Sequence, residues 1–303
     1  MRVLFFGLGS IGRRHLHNLK TVLEERNISA DIEAFRSGIK IDNDFTDIKM
    51  IYSEKELADY YDLVFITNPT NQHYTVLKML FERTDFFFIE KPVFEDIRDI
   101  EEFLSKNNQC YVACPLRHKK IYLKLKEIVA NNTIYSARVI ASSYLPEWRE
   151  SDYRTSYSAK SNQGGGVELD CIHEIDYISD LFGIPIMSQS NIQKISNLEI
   201  NSNDHASYIL DYGDKVIDVH LDYYGKHTQR NIELISNENF YKVDFISNTI
   251  TVNGVVDEVI PEERNDFYLR EMNYFLDIVF NKKKNINTLQ DSLDTLKIAK
   301  GYI

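Results

Sequence analysis

The chain begins with a short apolar run, Val3 to Phe6, that leads directly into Gly7-Leu8-Gly9-Ser10-Ile11-Gly12 and then into a helix-like stretch ending near Glu25. Three glycines at this spacing leave little choice of local fold. The first permits a tight turn, the second lets a ligand come close to the backbone, and the third lets helix and strand pack closely. A glycine triplet alone arises by chance. A buried-type strand before it and a helix after it supply the context the pattern needs. The start of such a helix offers free N–H groups and the positive end of its dipole to an anion. The motif therefore reads as a dinucleotide cradle formed by Gly7, Gly9, Ser10, Ile11 and Gly12. An ordinary strand-to-helix turn is the alternative.

The rhythm after this turn supports that reading. Apolar strands are expected at Asp31–Phe35, Leu63–Thr67, Phe86–Ile89 and Gln109–Ala113. Helices are expected between them: Ser53–Tyr60 (opened by the capping pattern Ser53-Glu54-Lys55-Glu56), Asn71–Arg83, Glu95–Asn107 and Lys119–Ala130. This alternation predicts an α/β fold with a doubly wound parallel sheet. Beyond Asn131 the pattern changes. A long strand at Ile134–Leu145 precedes a polar, aromatic segment, and Gly164-Gly165-Gly166 leads into a helix ending near Phe182. From Ile186 to Ile260 strands follow one another, separated by turn residues at Gly213, Gly225 and Gly254. An open antiparallel sheet with one covered face is expected there. Two helices close the chain, Asn265–Asn281 and Leu289–Gly301. The predicted division is a Rossmann domain over residues 1–118 and an α+β domain over 119–303, with the final helices packing on either one.

At 303 residues the chain is long enough for two cores, and 43% hydrophobic with 27% charged residues is a globular composition. A net charge of −11 argues against a bulk nucleic-acid binder, and an anionic substrate would need local Arg or Lys. Cys110, Cys114 and Cys171 have neither zinc spacing nor a disulfide framework, so they read as reduced thiols of a cytoplasmic protein. No run is long enough for a membrane span, and no membrane partner is expected.

Cofactor choice is read at the end of the second strand. An acidic residue there would bond the ribose of NAD. This chain has Ala34-Phe35-Arg36-Ser37. A guanidinium forms a planar fork to a 2′-phosphate, and Ser37 adds a hydroxyl. NADP(H) is the expected cofactor, with NAD(H) also accommodated. Stacking of Arg36 on adenine, or exposure to solvent, are the competing readings.

The strand ending in Glu90-Lys91-Pro92 places Lys91 at a carboxyl end, where doubly wound folds bind ligands. The set formed by the glycine turn, Thr67-Asn68-Pro69 with His73, Glu90-Lys91-Pro92, Leu116-Arg117-His118 and Gly164-Gly165-Gly166-x-x-x-Asp170-x-x-His173-x-x-Asp176 resembles the glucose–fructose oxidoreductase/inositol dehydrogenase (Gfo/Idh/MocA) family. The resemblance implies reversible hydride transfer between a sugar carbon and nicotinamide. It also implies that Thr67, Asn68, His73, Glu90 and Lys91 lie along the cofactor, and that the antiparallel sheet makes a homo-oligomer, a dimer or tetramer. It implies further that Lys91 binds the reacting hydroxyl, with Asp170 and His173 completing the catalytic set. The family's commoner Asp–His spacing is four; here it is three, which leaves open which of the two reaches substrate. The His-Glu-Ile-Asp-Tyr stretch and Tyr144-Leu145-Pro146-Glu147-Trp148 resemble a subgroup that acts on amino sugars or nucleotide sugars of bacterial surface polysaccharides.

The residue chemistry agrees with such a reaction. Alcohol oxidation needs a base. An unperturbed histidine has a pKa near neutrality, which makes His173 a candidate base, and Lys91 is either a base of lowered pKa or a cationic clamp on the alkoxide. Asp170 either orients His173 or holds a substrate hydroxyl. Trp148, Tyr153, Arg154 and Tyr157 are candidate substrate contacts, with a mobile surface loop as the alternative reading, and Arg117 is a candidate anion contact. Glu168, Asp170, His173, Glu174 and Asp176 spread around their helix, so no metal is expected. Two other functions share the cofactor residues: a non-catalytic NADP(H) sensor, and a redox-neutral epimerase or glycoside-cleaving enzyme that recycles its cofactor.

Overall fold

The structure is a computed structural model that describes residues 1–36 and 48–303. Ser37 lies outside the described residues. Two compact units emerge: Met1–Ala113 with Tyr268–Leu293, and Cys114–Phe267 with Asp294–Ile303.

The first unit is built on a six-stranded sheet. Its strands are β1 (Arg2–Phe6), β2 (Asp31–Phe35), β3 (Lys49–Ile51), β4 (Tyr61–Ile66), β5 (Thr84–Ile89) and β6 (Cys110–Val112). They stand in the order β3-β2-β1-β4-β5-β6, and every pairing is parallel. The order reverses at β1, which is where doubly wound folds open a ligand crevice. Helix α1 (Ser10–Glu25) follows β1, and α2 (His73–Leu80) follows β4. The runs of β1, β4 and β5 are almost wholly buried, as strands covered on both faces must be. Phe5 stacks on Phe65, Phe65 on Phe88, and Phe275 meets both Phe65 and Phe88 edge-on.

Two expected helices of this unit are not formed as such. Ser53 does cap a turn, accepting from the backbone of Lys55, but the turn ends at Glu56 because Leu57 is extended and buried. The segment predicted as a helix from Glu95 is irregular until Glu101 and then winds as a tight, kinked 3-10 helix to Gln109. Asp96 and Asp99 bond backbone amides one and two residues on, which draws the chain away from a regular start.

The second unit carries α3 (Lys120–Asn131), β7 (Ile134–Tyr144), α4 (Val167–Asp170), α5 (Ile172–Phe182) and seven more strands. These are β8 (Met187–Gln193), β9 (His205–Asp211), β10 (Val216–Asp222), β11 (Tyr224–Ser236), β12 (Phe240–Asp244), β13 (Thr249–Val252) and β14 (Val255–Val259). The eight-stranded sheet has the order β14-β13-β12-β11-β7-β10-β9-β8. It is mixed, because β7 lies beside β10 in parallel while the other neighbours run antiparallel. The expected antiparallel sheet is thus mostly antiparallel, with one parallel pair. Strands alternate cleanly: Tyr208 and Leu210 are buried on β9 while Ile209 between them is exposed. Two helices close the chain, α6 (Asp266–Val279) and α7 (Leu289–Ala299). Among the described residues no helix is long and apolar enough to cross a membrane.

Candidate cofactor and substrate sites

The glycine turn fixes the first site. Gly12 has no room for a side chain: a Cβ there would stand 2.5 Å from the carbonyl oxygen of Gly7 and 2.8 Å from Oγ1 of Thr67. Thr67 donates to that same Gly7 oxygen at 2.6 Å, which ties the end of β4 to the turn. Gly9 is the opposite case, since among the described residues a Cβ there would meet nothing within 4 Å. Gly9 is also the N-cap of α1 and has no side chain to cap it. The helix thus starts with open space on its N-terminal side, and its first turn, Ser10 to Arg13, carries no acidic residue. These residues fit a dinucleotide diphosphate, with amides and dipole facing the place a ligand would take. Arg36 continues β2 and donates its backbone N–H to Ile51, half-buried at the end of the strand.

The carboxyl end of β5 is braced from two sides. His73, fully buried at the start of α2, places Nδ1 3.2 Å from the carbonyl oxygens of Pro92 and Val93 and Nε2 2.9 Å from that of Asn68. Burial pushes its pKa down, against the pull of those carbonyls and of Glu90. Both ring nitrogens are engaged by backbone, so His73 braces this loop. Glu90, also buried, meets Nε2 of His15 at 2.5 Å and accepts the backbone N–H of Lys91. His15 escaped the sequence reading. It lies on the apolar stripe of α1 with Leu19 and Val22, and a polar residue at such a position signals a buried partner.

In the second unit the triple glycine is a matter of space. A Cβ on Gly165 would fall within 2.2 Å of the Tyr157 carbonyl oxygen and within 2.6 Å of that of Ser158. The glycines let the 157–160 backbone pass directly against the start of α4. That close passage brings Tyr157 to Asp170. Tyr157 donates to Oδ1 of Asp170 at 2.7 Å, and Tyr223 donates to Oδ2 at 2.5 Å. Tyr223 is itself fixed at both ends, because its N–H bonds Asp204 and its carbonyl accepts from Leu145. The charge of Asp170, then burial, raises the Tyr157 phenol well above its ordinary pKa. Burial first, then Asp170, does the same to Tyr223. Trp148 meets Tyr223 edge-on at 5.3 Å and donates its indole N–H to Ser143, and Arg149 lies 5.7 Å from the Tyr157 ring. More than a third of Trp148 and of Tyr157 is open to solvent, 39% and 38%. Exposed aromatic faces beside an anchored carboxylate suit a sugar, whose C–H groups stack on rings while its hydroxyls seek acceptors. Tyr223 was missed because 53 residues separate it from Asp170 and nothing local marks it.

Three expectations change here. Asp170 and His173 do not share one continuous helix: α4 ends at Asp170, Cys171 departs from helical geometry (φ −96°, ψ 23°), and α5 begins at Ile172 with His173 half-buried on it. Arg117 is not available to an anion. It is buried, it grips Asp176 through Nε and Nη2 at 2.9 and 2.8 Å, and it reaches Asp180 at 3.1 Å. Arg154, taken as a substrate contact, forks onto Asp152 and reaches Glu199, while Tyr153 accepts the Glu199 N–H. Both side chains thereby brace the Glu199 loop.

Comparison with known proteins agrees with this fold. Residues 1–114 match the oxidoreductase family with an NAD-binding Rossmann fold, GFO_IDH_MocA. The chain is 25% identical over 193 residues to a myo-inositol 2-dehydrogenase of Thermotoga maritima, an alignment covering 60% of this chain and 55% of that one. It spans about half the length of the curated relatives it matches. Among solved structures, an oxidoreductase of Thermotoga maritima superposes with a TM-score of 0.83 at 18% identity, covering 99% of this chain and 95% of that one. The WlbA dehydrogenase of Bordetella pertussis, solved with NADH and UDP-GlcNAcA, superposes with a TM-score of 0.81 at 13% identity, covering 99% and 94%. Through its N-terminal 114 residues the chain is similar to the Gfo/Idh/MocA oxidoreductase family.

Proposed function

We propose that this chain is an NADP(H)-dependent oxidoreductase that moves a hydride to or from a secondary alcohol or ketone carbon of a sugar, an amino sugar or nucleotide sugar of surface-polysaccharide synthesis. The observation that carries the reading is the glycine turn of the family-matched unit, sterically closed at Gly12 and open at Gly9. The nucleotide sugar draws support from the WlbA dehydrogenase solved with NADH and UDP-GlcNAcA. The aromatic faces of Trp148 and Tyr157 around Asp170 support a sugar ring as the bound group. Preference for NADP(H) rests on Arg36, whose guanidinium suits a 2′-phosphate.

A bound dinucleotide supplies the hydride acceptor or donor. The chain's residues handle the rest. Amides at the start of α1 hold the diphosphate. Lys91 binds the reacting hydroxyl through Nζ and steadies the alkoxide charge. His173 takes or returns the proton. Asp170, acting with the two phenols, holds a neighbouring hydroxyl. The mixed sheet is the surface we assign to a homo-oligomer. The three buried cysteines, none of them in a disulfide, suit a cytoplasmic enzyme.

The test is a panel of nucleotide sugars, amino sugars and polyols, followed by nicotinamide absorbance with both cofactors. Turnover that falls in Lys91→Ala and His173→Ala while NADPH binding persists is the expected result. Unchanged turnover in both variants overturns the mechanism. Turnover without net absorbance change points instead to a redox-neutral enzyme that recycles its cofactor.

A further inference from the structure

One buried histidine–carboxylate contact in the first unit has no role in the scheme above. His15 is wholly buried on α1, and its Nε2 meets Oε1 of Glu90 at 2.5 Å. The second oxygen of Glu90 accepts the backbone N–H of Lys91 at 3.0 Å. A single carboxylate therefore joins the helix that begins at the Gly9 turn to the peptide that presents Lys91. Burial alone would raise the Glu90 pKa, but the hydrogen bond and charge of His15, with the charge and N–H of Lys91, bring it net below the ordinary range. Glu90 is thus an anion and Nε2 of His15 donates.

The other side of the ring is informative. Nδ1 of His15 is buried and makes no hydrogen bond among the described residues. The ring is packed by Phe88 at 4.7 Å and Tyr268 at 6.1 Å, and Arg14 lies over the Tyr268 ring. A buried ring nitrogen without a partner is unfavourable. An apolar side chain of similar size would avoid that cost. What histidine adds, and an apolar residue lacks, is the Nε2–H aimed at Glu90. On the far side of Lys91, His73 holds the Pro92 and Val93 carbonyls. The Lys91 peptide is thus clamped before and after by histidines from α1 and α2.

We propose that His15 is a positioning residue: through Glu90 it sets the Lys91 peptide on the same helix whose N-terminus receives the cofactor diphosphate. Cofactor and lysine are then located by one rigid element, which is what hydride transfer with coupled proton movement requires. The meaning of Lys91 as a reacting group rests on the oxidoreductase reading; the clamp itself does not.

The test uses the full chain and three variants. His15→Phe keeps the bulk and removes the donor, His15→Gln restores a donor, and Glu90→Gln keeps the shape of the acceptor and removes its charge. Lys91 is read by NMR of isotopically dimethylated lysines, its signal assigned by loss in Lys91→Arg. NADPH affinity and thermal melting are measured alongside. In His15→Phe and Glu90→Gln the Lys91 signal is expected to move and broaden, while the NADPH affinity of His15→Phe stays within about threefold of the parent. With the substrate found by the panel, kcat is expected to drop about tenfold or more at nearly constant KM, and His15→Gln to recover part of the loss. A folded His15→Phe or Glu90→Gln protein with an unmoved Lys91 signal and parental kcat overturns the proposal. Loss that tracks melting temperature alone, without recovery in His15→Gln, also overturns it. If no sugar is turned over at all, the oxidoreductase reading fails while the Lys91 signal still decides the clamp.

Discussion

The phenol of Tyr223 donates its proton to Oδ2 of Asp170 at 2.5 Å in a buried position, so this carboxylate has one of its two oxygens committed before any substrate arrives. Tyr157 takes the other oxygen. Asp170 is therefore less an open base than an anchor that orients two hydroxyls, and its remaining lone pairs are what it offers a sugar. Tyr223→Phe leaves Oδ2 buried without its donor, a loss worth about 1–3 kcal/mol in unfolding free energy. The expected kinetic effect is a fall in kcat/KM for the identified sugar with unchanged NADPH affinity. Tyr157→Phe should act in the same direction. Because both phenols act on one carboxylate, the double variant should depart from additivity. Additive losses in melting and in kcat/KM would show that the phenols act independently.

The same pair makes a prediction at high pH. Both phenols have raised pKa values in the folded chain. An unfolded tyrosine titrates near about 10, so above that pH the unfolded state sheds protons the folded state keeps. The stability contributed by each raised phenol is fully present below about pH 10 and is lost as pH climbs toward the folded value. Replacing both tyrosines by Phe should flatten the alkaline limb of a plot of unfolding free energy against pH, measured by urea titration. An alkaline limb as steep as the parent's would contradict the assignment.

How much of this was legible beforehand differs by element. The glycine turn, Glu90-Lys91-Pro92 and the buried strands could be read because each is set by residues adjacent in sequence: a glycine where no Cβ fits, an apolar run where both faces are covered. The short turn at Ser53 and the irregular stretch from Glu95 were misread because a cap and a polar pattern admit a helix without requiring one. Asp96 and Asp99 then bonded the backbone locally instead. The break at Cys171 has no composition cue at all. Tyr223 with Asp170, and Arg117 with Asp176 across 59 residues, are pairings made by the tertiary fold, which periodicity does not record. Arg117 in particular looked like an anion site because an unpaired arginine and a buried, paired one are identical as letters.

The Arg117 cluster offers a stability test. Its guanidinium is buried against Asp176 and Asp180, and Tyr122 and Lys126 also bond Asp180. Removing one partner leaves the others as uncompensated buried charge, so Arg117→Met should cost about 3–5 kcal/mol. Burial would raise the Asp180 pKa, but Arg117, Lys126 and Tyr122 outweigh it and hold it below the ordinary range. The contribution of Asp180 is therefore complete above the unfolded pKa near 4 and lost as pH falls through the lower folded value. Arg117→Met should shrink the acid limb of the stability profile as well as its height. A variant melting like the parent would mean that the cluster is as solvated as a surface pair.

Cofactor choice turns on Arg36. If its guanidinium meets a 2′-phosphate, Arg36→Ala should weaken NADPH binding about tenfold or more and leave NADH nearly unchanged, the loss expected for one charge-assisted fork. Arg36→Glu should go further and favour NADH, since a carboxylate accepts from the ribose hydroxyls and repels the phosphate. Fluorescence titration with both nucleotides reads this directly. A parent protein that binds NADH as tightly as NADPH, with Arg36→Ala indifferent to both, would return Arg36 to a stacking or solvent role.

The two extremes of the glycine turn separate folding from binding. A methyl group on Gly12 would press on the Gly7 carbonyl oxygen, and that atom is backbone, already bonded by Thr67. Gly12→Ala should therefore lower the melting temperature and the yield of folded protein along with nucleotide binding. Among the described residues a side chain on Gly9 meets only open space, at a φ of −71° that any residue adopts. Gly9→Val should thus fold and melt like the parent. Its isopropyl group would occupy the volume reserved for the diphosphate, and NADPH and NADH affinity should both fall by about a hundredfold or more, near 3 kcal/mol. Because the loss is common to both nucleotides, it is distinct from that of Arg36→Ala. A Gly9→Val protein that melts normally and still binds either nucleotide with parental affinity would remove the diphosphate from this turn, and with it the reason for the open side of α1.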